Sequence, residues 1–171
     1  NERTLLNFEA VDYHSTIWVN DQKIGTNTGG NLPFSFDITS ALQPGENTLT
    51  VKVLDATDAA YQLHGKQRLQ PKGIWYTPVS GIWQTVWLEE IPQTSLADLK
   101  INTKINGEIS IKAPITTTKN LDDFALTSVT VTIKDKGKTI TRKTVTAGHE
   151  ITLSLENPKL WSPEKPFLYD L

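Results

Sequence analysis

Paired carboxyl groups are what general acid–base chemistry requires, and this 171-residue chain offers three candidate pairs. Glu89 and Glu90 follow one another in strand-like sequence, so their side chains leave on opposite faces and cannot act on one atom. Asp122 and Asp123 lie in a polar connection with no apolar wall to raise either pKa. Asp55 and Asp58 are spaced as loop calcium ligands can be, but two carboxylates without further oxygen ligands ordinarily form turns. His14, His64 and His149 occupy separate segments with no metal-ligand spacing. The chain has no cysteine, hence no disulfide and no thiolate site. No phosphate loop or Ser-His-Asp arrangement occurs. These patterns predict no catalytic residue, no metal and no cofactor.

Recognition is better provided for. The segment Ile74 to Leu88 holds three of the five tryptophans, a Pro turn and a Ser-Gly turn. Its first aromatics, Trp75 and Tyr76, approach a sheet end, where flat faces are available to a ligand. From Ile82, the residues Ile82, Val86 and Leu88 face one way and Trp83, Thr85 and Trp87 the other. Alternation of that kind predicts a central strand buried on both faces. Trp18, Trp83 and Trp87, each in an alternating run, are expected in the core. Residues 56–73 show no period and are longer than most structureless connections, which marks them as functional or disordered.

Those features must be positioned by strands. Leu6, Phe8 and Ala10 share a face, as do Ser15, Ile17 and Val19, then Phe34, Phe36 and Ile38, then Leu49, Val51 and Val53. Turns fall at Asn20-Asp21 and at Pro44 to Asn47, and Asp37 or Thr39 can cap one helical turn before Leu42. The stretch Glu90 to Ser95 suits a domain junction. Beyond it Leu99 and Ile101 alternate, Asn106-Gly107 signals a hairpin, and the sets Val129, Val131, Ile133 and Ile151, Leu153, Leu155 read as sandwich strands. The three prolines between Asn157 and Tyr169 demand an extended path, with Trp161 plugging the sandwich end. A net charge of −2 gives no broad attraction to nucleic acid or an anionic membrane, and Lys134 to Lys143 reads as a solvated hairpin. No apolar run approaches the ~20 residues that span a bilayer.

Taken in order, these pieces resemble glycoside hydrolase family 2. The run Phe8 to Tyr13 with Trp18-Val19-Asn20 looks like early strands of that family's N-terminal jelly-roll domain, as does Gly29 to Thr39. Gly45 to Val53 with Asp55, then Gly65-Lys66-Gln67, then Ile74 to Glu89 continue the pattern. Asn157 to Ser162 and Pro166 to Tyr169 are similar to the end of the family's immunoglobulin-like second domain. Two positions depart: Asn31 sits where an aromatic often follows the paired glycines, and Asp21 replaces the usual turn glycine.

The resemblance implies an all-β chain: a partial jelly-roll (galactose-binding-like) β-sandwich over 1–92, N-terminally incomplete, followed by a C-terminally incomplete immunoglobulin-like β-sandwich over 93–171. It is nearest to the β-galactosidase-like members. It further implies a retaining hydrolase whose two glutamates, about 5–5.5 Å apart, lie on a β/α barrel outside this chain. Asn1-Glu2 has the form of the family's Asn-Glu pair but lacks the preceding barrel strand. The chain is expected to be inactive alone and to meet carbohydrate through the barrel of its parent enzyme. In lactose-cleaving relatives the loop before the Ser-Gly turn supplies an aspartate to the sugar. Here no aspartate occurs between Ala59 and Gln84, and Lys66, Gln67, Trp75 and Tyr76 are the substrate-rim candidates. Packing of that loop against the barrel is the competing reading. A free-standing carbohydrate-binding module and a structural oligomerisation domain are the alternatives, since unpaired strand edges favour association.

Overall fold

Strands form where apolar residues alternate, and hairpins turn at residues that accept positive φ. The computed structural model describes residues 2–118 and 127–171, which fall into two units, Asn1–Pro92 and Gln93–Leu171. Both are β-sandwiches, the first of the jelly-roll type and the second immunoglobulin-like, and the described residues are all-β apart from one 3₁₀ turn. Asp122-Asp123 and Asn1 lie outside the described residues.

In the first unit β1 (Glu2–Phe8) is flanked by β5 (Phe34–Asp37) and β8 (Val86–Pro92). A second sheet places β3 (His14–Val19) between β4 (Gln22–Thr28) and β6 (Leu49–Leu54). A short ribbon joins β2 (Val11–Asp12) to β7 (Gly81–Ile82). Leu6 and Phe8 from one sheet meet Ile17 and Val19 from the other, with Ile38 and Ala41 of the 3₁₀ turn closing the end. Phe8 is fully buried and stacks on Phe34 at 5.0 Å; burying such a ring stabilises the fold by about 1.5–3 kcal/mol. The β3–β4 hairpin turns through Asn20 (φ 48°) and Asp21 (φ 63°), so aspartate tolerates the position where the resemblance leads one to expect glycine. Asp37 ties the turn Thr39–Ala41 to β1: it accepts from the Thr39 N–H at 3.0 Å and from Arg3 Nε at 2.8 Å.

The stretch from Ile82 departs from the expected central strand. Trp83 to Thr85 leave the extended ladder, and β8 is the outer strand of its sheet, with β1 at the centre. Trp83 is 54% exposed and Trp87 40%, whereas Trp18 is half-buried. Alternation predicts which side chains share a face; it does not say whether each face is covered.

In the second unit β11 (Glu108–Lys112) lies between β10 (Lys100–Thr103) and β15 (Ile151–Ser154). Separate ribbons pair β9 (Thr94–Leu96) with β12 (Ile115–Thr117) and β13 (Ser128–Asp135) with β14 (Lys138–Thr146). The core comprises Ile109 and Ile111, Val129 to Ile133 at alternate positions, and Ile151, Leu153 and Leu155. The hairpin at Asn106-Gly107 forms as the sequence predicts, closed by Gly107 N–H to Lys104 C=O at 3.0 Å. The Lys136-Gly137 hairpin likewise turns through positive φ, and Lys136 is exposed. Trp161 is 58% exposed and lines an open apolar groove instead of plugging the sandwich end.

Candidate functional site

The long connection between β6 and β7 is a stapled loop. Asp55, just past β6, accepts hydrogen bonds from the Thr57 N–H at 2.7 Å and Gln62 Nε2 at 2.6 Å through Oδ1, and from Ser80 Oγ at 2.6 Å through Oδ2. It thereby joins the start of the loop to its end. Asp58 accepts from the Leu69 N–H at 2.9 Å, so both aspartates act as loop formers, as the sequence predicts. Burial alone would push the Asp55 carboxyl up. The hydrogen bonds from Ser80, Thr57 and Gln62, with His64 nearby, outweigh it and hold Asp55 below the ordinary carboxylate value.

Within the loop the chain doubles back on itself. The Tyr76 N–H donates to the Lys66 carbonyl at 2.9 Å, and the Arg68 N–H donates to the Tyr76 carbonyl at 3.0 Å. This parallel bridge brings Lys66 and Gln67 beside Tyr76. Gln67 is held by its amide oxygen, which accepts from the Val79 N–H at 2.6 Å, and its side chain shares the cleft with Asp12. Lys66 Nζ lies 6.0 Å from the centre of the Tyr76 ring, at the limit of a cation–π contact.

Asp12, Asn31, His64, Lys66, Gln67 and Tyr76 together line a cleft of about 480 Å³. Asp12 comes from the end of β2, and the peptide bond that follows it is cis. Its carboxylate rests against the backbone of Gly30, where an added Cβ would stand 2.6 Å from Oδ1. Burial pushes the Asp12 carboxyl above its ordinary value, the Asp55 charge adds to that, and the Gln67 hydrogen bond only partly offsets it. Tyr76 presents an open ring face, being 63% exposed. The cleft therefore combines a half-buried acceptor, amide donors, an exposed cation and an aromatic wall.

Of the four rim candidates, three converge: Lys66, Gln67 and Tyr76 share this cleft. Trp75 does not join them. Its ring stacks under the Arg68 guanidinium at 4.2 Å, with Asp58 3.7 Å from Arg68 Nε, and it lines a separate shallow depression. Asp12 and Asn31 escaped the reading of the sequence because both are distant from the loop in the chain. The signal was Gly30: a glycine stands where the Asp12 carboxylate leaves no room for a side chain. Among the described residues no cluster of three or more potential metal ligands occurs.

Among the described residues the first unit combines two three-stranded sheets with a two-stranded ribbon, the second a three-stranded sheet with two ribbons, and the polar–aromatic cleft belongs to the first. Residues 1–92 match the family model described as "Glycosyl hydrolases family 2, sugar binding domain", and residues 92–171 match "Glycosyl hydrolases family 2". The chain belongs to glycoside hydrolase family 2. It is similar to a β-galactosidase of Enterobacter cloacae, with 31% identity covering 99% of this chain and 17% of that enzyme. A putative β-glucuronidase of Formosa agariphila is 30% identical over 100% of this chain and 20% of its own length. Among solved structures, β-glucuronidase 3 of Bacteroides uniformis superposes with a TM-score of 0.76 at 21% identity, covering 99% of this chain and 22% of that one. The β-glucuronidase of Ruminococcus gnavus in complex with uronic deoxynojirimycin gives 0.74 at 23%, with 99% and 29% covered. At those identities the structural likeness establishes the fold. The chain spans about a fifth of the length of the curated relatives it matches.

Proposed function

We propose that this chain is the non-catalytic N-terminal portion of a family 2 glycoside hydrolase, β-galactosidase-like, and that its cleft forms part of the doorway to a catalytic β/α barrel elsewhere in the protein. The convergence of Lys66, Gln67 and Tyr76 with Asp12 in one cleft carries this reading. Aromatic face plus amide and carboxylate partners is the chemistry that holds a pyranose, whose C–H face is apolar and whose edges are hydroxyls. Stapling by Asp55 and Gln67 holds those groups in place before a ligand arrives, which limits the ordering cost of binding. The two carboxylate pairs that lie in the described residues do other work. Asp55 and Asp58 are committed to the loop, and Glu89 and Glu90 sit on successive positions of β8 opposite Leu5 and Thr4.

Hydrolysis of nitrophenyl galactoside and glucuronide by this chain and by its full-length protein tests the proposal. The chain alone should leave both substrates intact. In the full-length protein Tyr76→Ala should lower kcat/KM by about tenfold, the loss of one aromatic contact worth ~1.4 kcal/mol, with thermal stability unchanged. Cleavage by the chain alone, or full activity in the variant, overturns the reading.

A further inference from the structure

The floor and the rim of the cleft carry opposite charges, and they differ in how firmly they are held. Asp12 is half-buried and packed on Gly30, with Gln67 beside it in the cleft. A second carboxylate, Asp55, is close enough to act on Asp12 electrostatically, and its oxygens are already occupied by Thr57, Gln62 and Ser80. Lys66 is exposed, and its ammonium group lies 6.0 Å from the centre of the Tyr76 ring. Arg68, the next cation along the loop, is engaged by Trp75, Asp58 and His64.

We infer that the cleft takes an uncharged pyranose, with Asp12 accepting hydrogen bonds from its hydroxyls, and discriminates against uronates. The inference rests on the reading of this cleft as a substrate-facing rim. An ionised carboxylate can only accept hydrogen bonds, so the floor demands donors, and sugar hydroxyls supply them. A uronate ring seated on the same floor would bring a third carboxylate towards Asp12 and Asp55, in a recess where solvent screens charges less than at the surface. Lys66 is exposed, so the compensation it offers is weakened by water and salt. Asn31 fits the same preference, since its amide both donates to and accepts from hydroxyls.

Amide-resolved NMR titration of the 171-residue chain at neutral pH distinguishes the outcomes. Methyl β-galactoside and methyl β-glucuronide, each taken to about 100 mM, are the probes, because single-sugar contacts give affinities near millimolar or weaker. Galactoside should shift the amides of Gly65 to Gln67 and Tyr76, and glucuronide should bind roughly tenfold more weakly or worse. Asp12→Asn should weaken galactoside and narrow the gap between the two sugars. Equal or stronger binding of glucuronide overturns this inference while leaving the rim in place. If neither sugar perturbs the cleft, the rim reading itself fails.

Discussion

Replacing Asp55 by alanine should release the loop without unfolding the sandwich. One carboxylate closes the loop by accepting from Thr57, Gln62 and Ser80, at 2.6 to 2.7 Å. Hydrogen bonds to a charged acceptor contribute about 1.5–3 kcal/mol each when buried, and these are partly exposed, so about 1 kcal/mol apiece is the fitting figure. The sum, about 2–3 kcal/mol, converts to a roughly 30- to 150-fold rise in the open population of the loop. Hydrogen exchange followed by mass spectrometry reads this directly. Peptides covering residues 57–80 should lose protection by that factor, whereas β3 and β6, which border the core, should keep theirs. Asp55→Asn should fall between, since an amide oxygen still accepts but without charge. The pH dependence has a definite sign. Because Asp55 is held below its ordinary value in the folded protein, the staple is fully present above about pH 4 and fails as pH falls through the lowered value. Unchanged protection of residues 57–80 in Asp55→Ala would refute the staple.

Three further outcomes follow from the packing. Gly107→Ala should cost the second unit at least 2–3 kcal/mol in a denaturant melt, because φ is +89° and a Cβ would stand 2.3 Å from the Leu155 carbonyl oxygen, a backbone atom that cannot yield. Gly25→Ala places a Cβ 2.3 Å from Phe36 Cε1; the ring can shift, so a smaller loss of about 1–2 kcal/mol is expected, confined to the first unit. Asp12→Asn should raise the melting temperature of the first unit at neutral pH. The folded protein holds Asp12 above its ordinary value, so ionisation opposes folding as pH rises through that window, and the amide removes the opposition. Equal melting of Asp12→Asn and the parent at neutral pH would argue against that burden.

The strands were legible because their signal is local. Leu6, Phe8, Ile17, Val19, Val131, Ile133, Ile151 and Leu153 are all buried where alternation placed them. Turn chemistry was equally readable at Asn106-Gly107. Sheet position was not: the run from Ile82 to Leu88 is apolar on both faces, yet β8 is an outer strand with Leu88 exposed. Periodicity is a property of one segment, whereas coverage depends on what lies against it. The cleft was half legible. Loop length and aromatic content drew attention to Lys66, Gln67 and Tyr76, but adjacency in sequence grouped Trp75 with Tyr76, and the backbone between them sends the two rings into separate depressions. Asp12 and Asn31 reach the cleft only through the sheet, a long-range consequence that one sequence leaves unmarked except by Gly30.

The most direct test is a crystal structure of the full-length protein with a bound glycoside analogue. The account predicts sugar hydroxyls within hydrogen-bond distance of Asp12 or Gln67 and a ring packed on Tyr76. A cleft filled by protein side chains, with the sugar out of reach of all three residues, would contradict it.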